Sequence, residues 1–420
     1  MIGLCDCNNF FVSCQRVFRP DLNGVPVAVL SGNDGCVIAR SNEVKALGIK
    51  MGVPLFEVKD IVKKHNVVLF SANHRLYADM SCRVMDTLRQ QSSSIEVYSI
   101  DEAFIDFSEF DVSSLKTYGE RLAALVKRNT GIPVSIGIAP TKTLAKIASR
   151  LCKQYPKLNN ACLMYRQEDI EKVLKKLPIG DVWGIGRKTL NKLSSIGIVT
   201  AFDFTQLSEQ RIQTLMGITG VRTWRELRSI PSVEFTSTLS AHQSISIGRS
   251  FAKEVCDFHE LHSFVSTFAT TVAEKLRKQK SCVRQITTYI YTNRHKTNAP
   301  QHYESDTVRL EVPTDSTIEI VSLVHDSLRK IFKEGFRYKK AGVICSNLTV
   351  KNQVEHTLFD TIDRGKHTKL MESIDRINAK HGSKSILLAS ENNTILESSK
   401  NHLSPCYTTE WEDIIYVKQV

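Results

Sequence analysis

The stretch from Val97 to Phe107, VYSIDEAFIDF, decides how the rest of the chain is read. Two acids, Asp101 and Glu102, interrupt an otherwise apolar phrase, and the residues around them alternate as strands, Glu96 to Ile100 and Ala103 to Phe107. Within one continuous strand neighbouring side chains point to opposite faces, so both acids serve one site only where the strand breaks. The junction between Ile100 and Ala103 supplies that break. Acidic residues are common at surface hairpins, so the pair alone does not define a site. Burying unpaired carboxylates is costly, and a bound cation is the natural compensation.

Outward from this phrase the pattern spells β-α-β-β-α-β. Ile2 to Asp6 reads as a buried strand, Tyr77 to Leu88 and Leu115 to Arg128 as helices, and Val134 to Ile138 as the last strand. The residues from about 10 to 74 then form an insertion after strand one, giving an α+β, ferredoxin-like unit. Inside the insertion, Pro26 to Leu30 reads as a strand, SGNDG from Ser31 to Gly35 as a turn, and Val37 to Gly48 as a helix with Lys45 near its close. Strands one and two are expected to bring Asp6 and Asp101 together. Three carboxylates at one sheet edge can hold two magnesium ions about 4 Å apart, one activating an attacking hydroxyl and the other steadying a departing phosphate.

After that last strand, APTKTLAKIASRLCK carries Lys142, Lys146, Arg150 and Lys153 along one helical stripe, with Leu144, Ile147, Ala148 and Leu151 turned inward. Such stripes are usually solvated faces. This one begins beside the acidic edge, where some of its members are placed to neutralise a triphosphate. Further on, VWGIG from Val182 to Gly186 lies between two short helical patterns. Gly184 and Gly186 permit a tight turn before a helix bearing Arg187, Lys188 and Lys192, an arrangement suited to a backbone phosphate.

From Ile245 the β-α-β-β-α-β outline recurs: strand Ile245 to Phe251, helix Phe258 to Arg277, strands Gln285 to Tyr291 and Val308 to Val312, helix Ile318 to Phe332, and strand Ala341 to Leu348. The Ser- and Thr-rich residues from about 232 to 244 read as a connector, and the polar tail beyond Lys351 holds one helical pattern, Leu370 to Lys380.

Composition narrows the class. Among 420 residues, 42% are apolar, and 56 Lys plus Arg stand against 44 Asp plus Glu, a formal charge of +12 that favours a polyanionic partner. The eleven cysteines are scattered without a CxxC pair, and Cys5 and Cys7 read as small residues on one strand face, not as a zinc knuckle. A reduced, cytoplasmic compartment is expected. Neither an apolar run of about 18 residues nor a basic N-terminal segment leading into an apolar signal core occurs, so neither a membrane span nor secretion is expected.

Taken in order, LCDCNNFFVSCQRVFRPDL, NDGCVIARSNEVKALGIKMG, YSIDEAF, GIAPTKTLAKIAS and VWGIGRKTLNKL resemble the Y-family DNA polymerases, and within them the UmuC branch. The resemblance implies a right-hand-like polymerase with palm at 1–10 and 75–165, fingers at 11–74, and a thumb with helix-hairpin-helix at 166–231. It implies a linker at 232–244, a little finger at 245–350 and a UmuC-type extension at 351–420. It implies Asp6, Asp101 and Glu102 as catalytic metal ligands for two Mg2+ ions, with the carbonyl of Cys7 as a further ligand. By the same resemblance Phe11 is the steric gate against ribonucleotides, in place of the tyrosine of many UmuC-like chains, and Lys45 and Lys153 bind the triphosphate. Asn42 replaces an aromatic of archaeal members.

Gly184, Gly186, Arg187 and Lys188 would contact the DNA backbone, as would Arg249, Lys275 and Arg284 in the little finger. The phrase VEHTLFD resembles a sliding-clamp-binding peptide ending in Leu358 and Phe359, with His356 where glutamine is usual. The implied function is error-prone translesion synthesis in the SOS DNA-damage response, on primer-template DNA with dNTPs, with a UmuD'-like homodimer and a RecA filament as partners. Two other readings stand beside it: a catalytically inactive DNA-binding subunit of the same fold, and a metal-dependent nuclease. A nuclease would have no use for a planar side chain at Phe11 or for phosphate-matching lysines at positions 45 and 153.

Overall fold

The computed structural model describes residues 1–92, 94–236, 241–355, 357–382, 385–391 and 400–415. The chain divides into two compact units, Met1–Leu239 with Lys400–Val420, and Ser240–Ser399.

The first unit opens with β1 (Ile2–Cys7), α1 (Phe10–Phe18), β2 (Val27–Leu30), β3 (Val37–Arg40), α2 (Asn42–Ala46), α3 (Lys59–Lys64), β4 (Val68–Ser71) and α4 (His74–Arg89). It continues through β5 (Ile95–Val97), β6 (Glu102–Asp106), α5 (Val112–Thr130), β7 (Val134–Ala139), α6 (Lys142–Gln154) and β8 (Ala161–Leu163). Four helices close it: α7 (Gln167–Lys176), α8 (Arg187–Ser194), α9 (Ala201–Thr205) and α10 (Glu209–Leu227).

A five-stranded sheet in the order β5-β6-β1-β7-β8 forms its centre, with β1 antiparallel to both β6 and β7. Two-residue alternation divides its faces. Cys5, Cys7, Ala103 and Ile105 pack with Leu76, Tyr77 and Met80 of α4 and Leu122 and Val126 of α5. Leu4 and Phe104 turn the other way, onto Leu144, Ile147 and Ala148 of α6. Asp6 and Glu102 share the parity of Leu4 and Phe104, so they too lie on the α6 side. Gly137 lets α6 approach this closely: a Cβ there would stand 2.2 Å from both the Ala145 carbonyl oxygen and the Ser149 amide nitrogen.

Two expectations fail in the first unit. Val37 to Gly48 is not one helix: Val37–Arg40 is a strand paired with β2, and only Asn42–Ala46 is helical. Val37 and Ala39 are buried while Ile38 and Arg40 are half-buried, a two-residue period that a helical reading of the same apolar set overlooks. The neighbour of β1 is also the third strand of the outline and not the second, because β5 ends at Val97 and lies at the sheet edge.

The second unit contains β9 (Ile245–Val255), α11 (Phe258–Lys278), β10 (Ser281–Thr292), β11 (Tyr303–Thr314), α12 (Thr317–Ile331), β12 (Tyr338–Val350) and α13 (Arg364–His381). The element string matches the expectation, yet its four-stranded antiparallel sheet runs β11-β10-β12-β9, with the first strand at an edge. Helices α11 and α12 cover the face bearing Ile286, Ile290, Val343 and Cys345. Of the expected connector, 237–240 lies outside the described residues. Ser232 and Val233 are tied by their amides to Glu226, and Thr236 to Glu96, so its first part packs into the first unit. Residues 400–415 belong to that unit as well, so 351–420 does not form a single extension.

Candidate active site

Asp6 stands opposite Glu102 in the β1–β6 ladder, and the Cys7 amide donates to the Asp101 carbonyl at 2.8 Å. Strand β6 begins only at Glu102, so Asp101 occupies the turn that enters it. There the Ser99 hydroxyl donates to Asp101 Oδ1 at 2.6 Å. This is the strand break that the adjacent acids require, and three acids from two distant stretches meet at one corner of the sheet. Burial, the largest cause, holds the Asp6 carboxyl above its ordinary range. Lys153 opposes that shift, and the charges of Glu102 and Asp101 reinforce it. Burial also pushes the Cys7 thiol well up, so Cys7 offers no thiolate at neutral pH.

The basic stripe on α6 is not a solvated face. Lys153 Nζ lies 2.6 Å from Asp6 Oδ1, and Lys146 Nζ lies 2.7 Å from Glu102 Oε2. Arg150 pairs with Asp181 at 2.9 Å, and Lys142, only 3% exposed, pairs with Glu96 at 2.6 Å. Lys142 also donates to the Glu234 carbonyl, so it is a buried structural cation. Lys146 sits 4.4 Å above the Tyr98 ring and 5.2 Å above the Trp183 ring, and Trp183 Nε1 donates to the Tyr98 hydroxyl at 3.2 Å. This aromatic box holds the ammonium group beside Glu102. Tyr98 and Trp183 were invisible as site residues because aromatics in apolar phrases read as core.

Among the described residues no group of three His, Cys, Asp or Glu side chains forms a ready-made metal cluster. The donor set nevertheless fits divalent cations: hard carboxylate oxygens from Asp6, Asp101 and Glu102, with two of the three neutralised by ammonium groups at 2.6 and 2.7 Å. A positive charge is what this corner takes.

Lys45 Nζ donates to Asn9 Oδ1 at 2.6 Å, and Asn9 Nδ2 donates to Asn42 Oδ1 at 3.1 Å. Lys45 is held below the ordinary lysine range, first by burial and then by the charges of Lys153 and Arg40, so the two predicted triphosphate lysines sense each other. Asn9 carries no distinguishing signal in the sequence; it sits in the left-handed region at φ 48° as the residue before α1. Phe11 is half-buried and stacks on Tyr77, with ring centroids 4.3 Å apart and planes 13° from parallel, while His74 meets it edge-on.

In the hairpin before α8, Gly184 has φ 90°, and Gly184, Gly186, Arg187 and Lys188 are all exposed. In the second unit Arg249 and Lys275 are exposed, whereas Arg284 is half-buried and donates to the Glu311 carbonyl. Leu358 and Phe359 are 100% and 88% exposed, and His356 lies outside the described residues.

Comparison with known proteins supplies the family. The impB/mucB/samB family matches residues 5–150, its C-terminal domain 242–358 and its helix-hairpin-helix motif 167–198, and a domain of unknown function matches 368–417. Protein UmuC of Salmonella typhimurium is 40% identical over the full length of both chains. Protein ImpB of Salmonella typhimurium is 38% and protein MucB of Escherichia coli 34% identical, each over 99% of both chains. Among solved structures, a Y-family DNA polymerase chimera superposes with a TM-score of 0.68 at 20% identity, covering 83% of this chain and 100% of its own. An insertion ternary complex of Dbh DNA polymerase gives 0.55 at 21% identity, with the same coverage of both chains.

The chain belongs to the impB/mucB/samB family, the UmuC branch of the Y-family DNA polymerases. Its fold is the palm, fingers, thumb and little-finger architecture, and its activity is template-directed, error-prone DNA synthesis with the family's two-metal chemistry. Among the described residues no helix is long and apolar enough to cross a membrane.

Proposed function

We propose that this chain performs translesion synthesis in the SOS response and that Asp6, Asp101 and Glu102, with the Cys7 carbonyl, hold two Mg2+ ions at the α6-facing corner of β1 and β6. The observation that carries this reading is the placement of Asp6 opposite Glu102, with Asp101 bonded through its backbone to Cys7. When bound, the metal ions lower the pKa of the primer 3′-hydroxyl and neutralise charge on the departing pyrophosphate.

The chain's own residues do the rest. Lys153 and Lys45 receive the triphosphate, and Lys153 gives up its bond to Asp6 as it does so. Lys146 remains in its aromatic box and limits how far Glu102 moves. The ring of Phe11, backed by Tyr77, lies under the incoming sugar and collides with a 2′-hydroxyl.

The division into palm (1–10 and 75–165), fingers (11–74), thumb (166–231) and little finger (245–350) is part of this reading. The exposed turn at Gly184, Gly186, Arg187 and Lys188 would grip backbone phosphates without reading sequence. A UmuD'-like homodimer, a RecA filament and the sliding clamp are the proposed partners, the last through Leu358 and Phe359, and the bacterial cytoplasm is the proposed location.

Asp101→Asn tests the site: primer extension should fall by at least about a hundredfold while primer-template binding, read by fluorescence anisotropy, stays close to wild type. Normal extension by this variant would remove the assignment. Extension across an abasic template, with each partner protein omitted in turn, tests the translesion role.

A further inference from the structure

Ser404 is 5% exposed and sits where two helices of the gate meet. Its Oγ accepts from Gln15 Nε2 at 2.9 Å and from Asn73 Nδ2 at 3.2 Å, and its carbonyl accepts from Asn73 Nδ2 at 3.0 Å. Gln15 lies on α1 one turn beyond Phe11, fully buried, and its Nε2 also donates to the Tyr77 hydroxyl at 3.0 Å. The Tyr77 ring is the surface on which Phe11 stacks. Asn73 caps the start of α4 by accepting from the Leu76 amide at 3.2 Å, and α4 carries His74 and Tyr77 within its first turn.

One hydroxyl from the end of the chain thus ties together the helix that bears Phe11 and the helix that bears its backing ring. Two further contacts anchor the same segment. Tyr407 stacks on Phe18 at the far end of α1, with centroids 4.7 Å apart, and the His402 backbone exchanges bonds with Ser71 at 2.8 and 3.0 Å.

A steric gate discriminates by refusing to move, so the stiffness of its backing matters as much as the ring itself. Without the Ser404 hydroxyl the buried amide of Gln15 keeps only the Tyr77 hydroxyl as acceptor, while Asn73 Nδ2 retains the Ser404 and Pro405 carbonyls, and a donor so left rearranges to find water or another partner. The Tyr77 hydroxyl is tied to the same Gln15 nitrogen, so that rearrangement reaches the plane of Tyr77 and through it Phe11. Positioning within about half an ångström is what supporting contacts of this kind provide.

We propose that residues 400–415 are a strap that fixes the stacked Phe11–Tyr77 pair, with Ser404 as a positioning residue for sugar discrimination. The proposal rests on the reading of Phe11 as the sugar gate.

The test uses the full-length chain and single-nucleotide primer extension, giving kcat/KM for a dNTP and for its matching rNTP in wild type, Ser404→Ala, Ser404→Thr and Phe11→Ala. Ser404→Ala should raise the rNTP to dNTP ratio roughly fivefold, the scale of one lost buried hydrogen bond, with dNTP kcat/KM within about twofold of wild type. Ser404→Thr, which keeps the hydroxyl, should restore the ratio. A merely structural role would lower both substrates together at constant ratio, and that result overturns the proposal. If Phe11→Ala shifts the ratio and Ser404→Ala does not, the strap falls and the gate stands; if Phe11→Ala leaves the ratio unchanged, the gate reading and the strap fall together. Should Ser404→Ala prove insoluble, Tyr407→Leu loosens the same segment without orphaning a buried donor and should shift the ratio in the same direction, a constant ratio again overturning the proposal.

Discussion

Asp6 and Glu102 face each other across the β1–β6 ladder, and each is bonded to its own lysine of α6, Lys153 at 2.6 Å and Lys146 at 2.7 Å. The lysines and any divalent cations therefore compete for the same oxygens, which makes the site sensitive to pH and to metal in a definite direction.

Burial holds the Asp6 carboxyl above its ordinary range. The folded chain then binds that proton more tightly than the unfolded chain does. Its contribution to stability is present below the ordinary carboxylate pKa and is lost as pH rises through the raised native value. At pH 7 without divalent cations, Asp6→Asn should therefore raise the thermal midpoint by about 1–3 °C, an advantage that closes toward about pH 4. Millimolar Mg2+ should stabilise the wild type and leave Asp6→Asn unmoved. A variant less stable than wild type at pH 7 in chelator contradicts this account.

Lys142 and Lys153 occupy one stripe yet should fail differently. Lys142→Ala strands Glu96, which also receives the Thr236 amide, and should cost about 3–5 kcal/mol in chemical denaturation. Lys153→Ala, at a half-exposed position, should change stability by less than about 1 kcal/mol and should raise KM for dNTPs about tenfold or more. Equal stability losses in the two variants would erase the distinction.

Gly137→Ala should prevent folding of the first unit or leave it insoluble. The new methyl meets backbone on α6 at 2.2 Å, and no side-chain rotation relieves a clash with backbone. A soluble Gly137→Ala chain with a wild-type midpoint and normal extension would show that α6 is free to move away from β7.

Leu358 and Phe359 present almost their whole side chains to solvent, which makes them costly ornaments unless something covers them. Replacing both by Ala should abolish stimulation of extension by a sliding clamp and leave clamp-free extension within about twofold of wild type. Undiminished stimulation would place the clamp contact elsewhere.

Much of this molecule was legible from periodicity. The strands at Ile2 and Val134, the long helices α4, α5, α11 and α12, and the strand break at Asp101 all follow from which neighbours are apolar. The meeting of Asp6 with Asp101 and Glu102 was legible too, because the strand outline put both stretches into one sheet. Ser404, Tyr98 and Trp183 carried no such signal: a serine in a polar tail and aromatics in apolar phrases look ordinary until the chain folds.

The sequence by itself determined most of the strands and helices, the strand Val37–Arg40 excepted, and which of their faces are apolar, since these are properties of neighbours along the chain. Only the tertiary structure decided who pairs with whom. The same β-α-β-β-α-β string places its first strand inside one sheet, beside β6 and β7, and at the edge of the other, beside β12 alone. It also decided that each cation of the α6 stripe finds a carboxylate and that a tail segment reaches back to Gln15 across 389 positions. The physical reason is that hydrogen-bonding edges and charges are alike wherever they occur in the chain, and their partners are chosen by how whole faces pack.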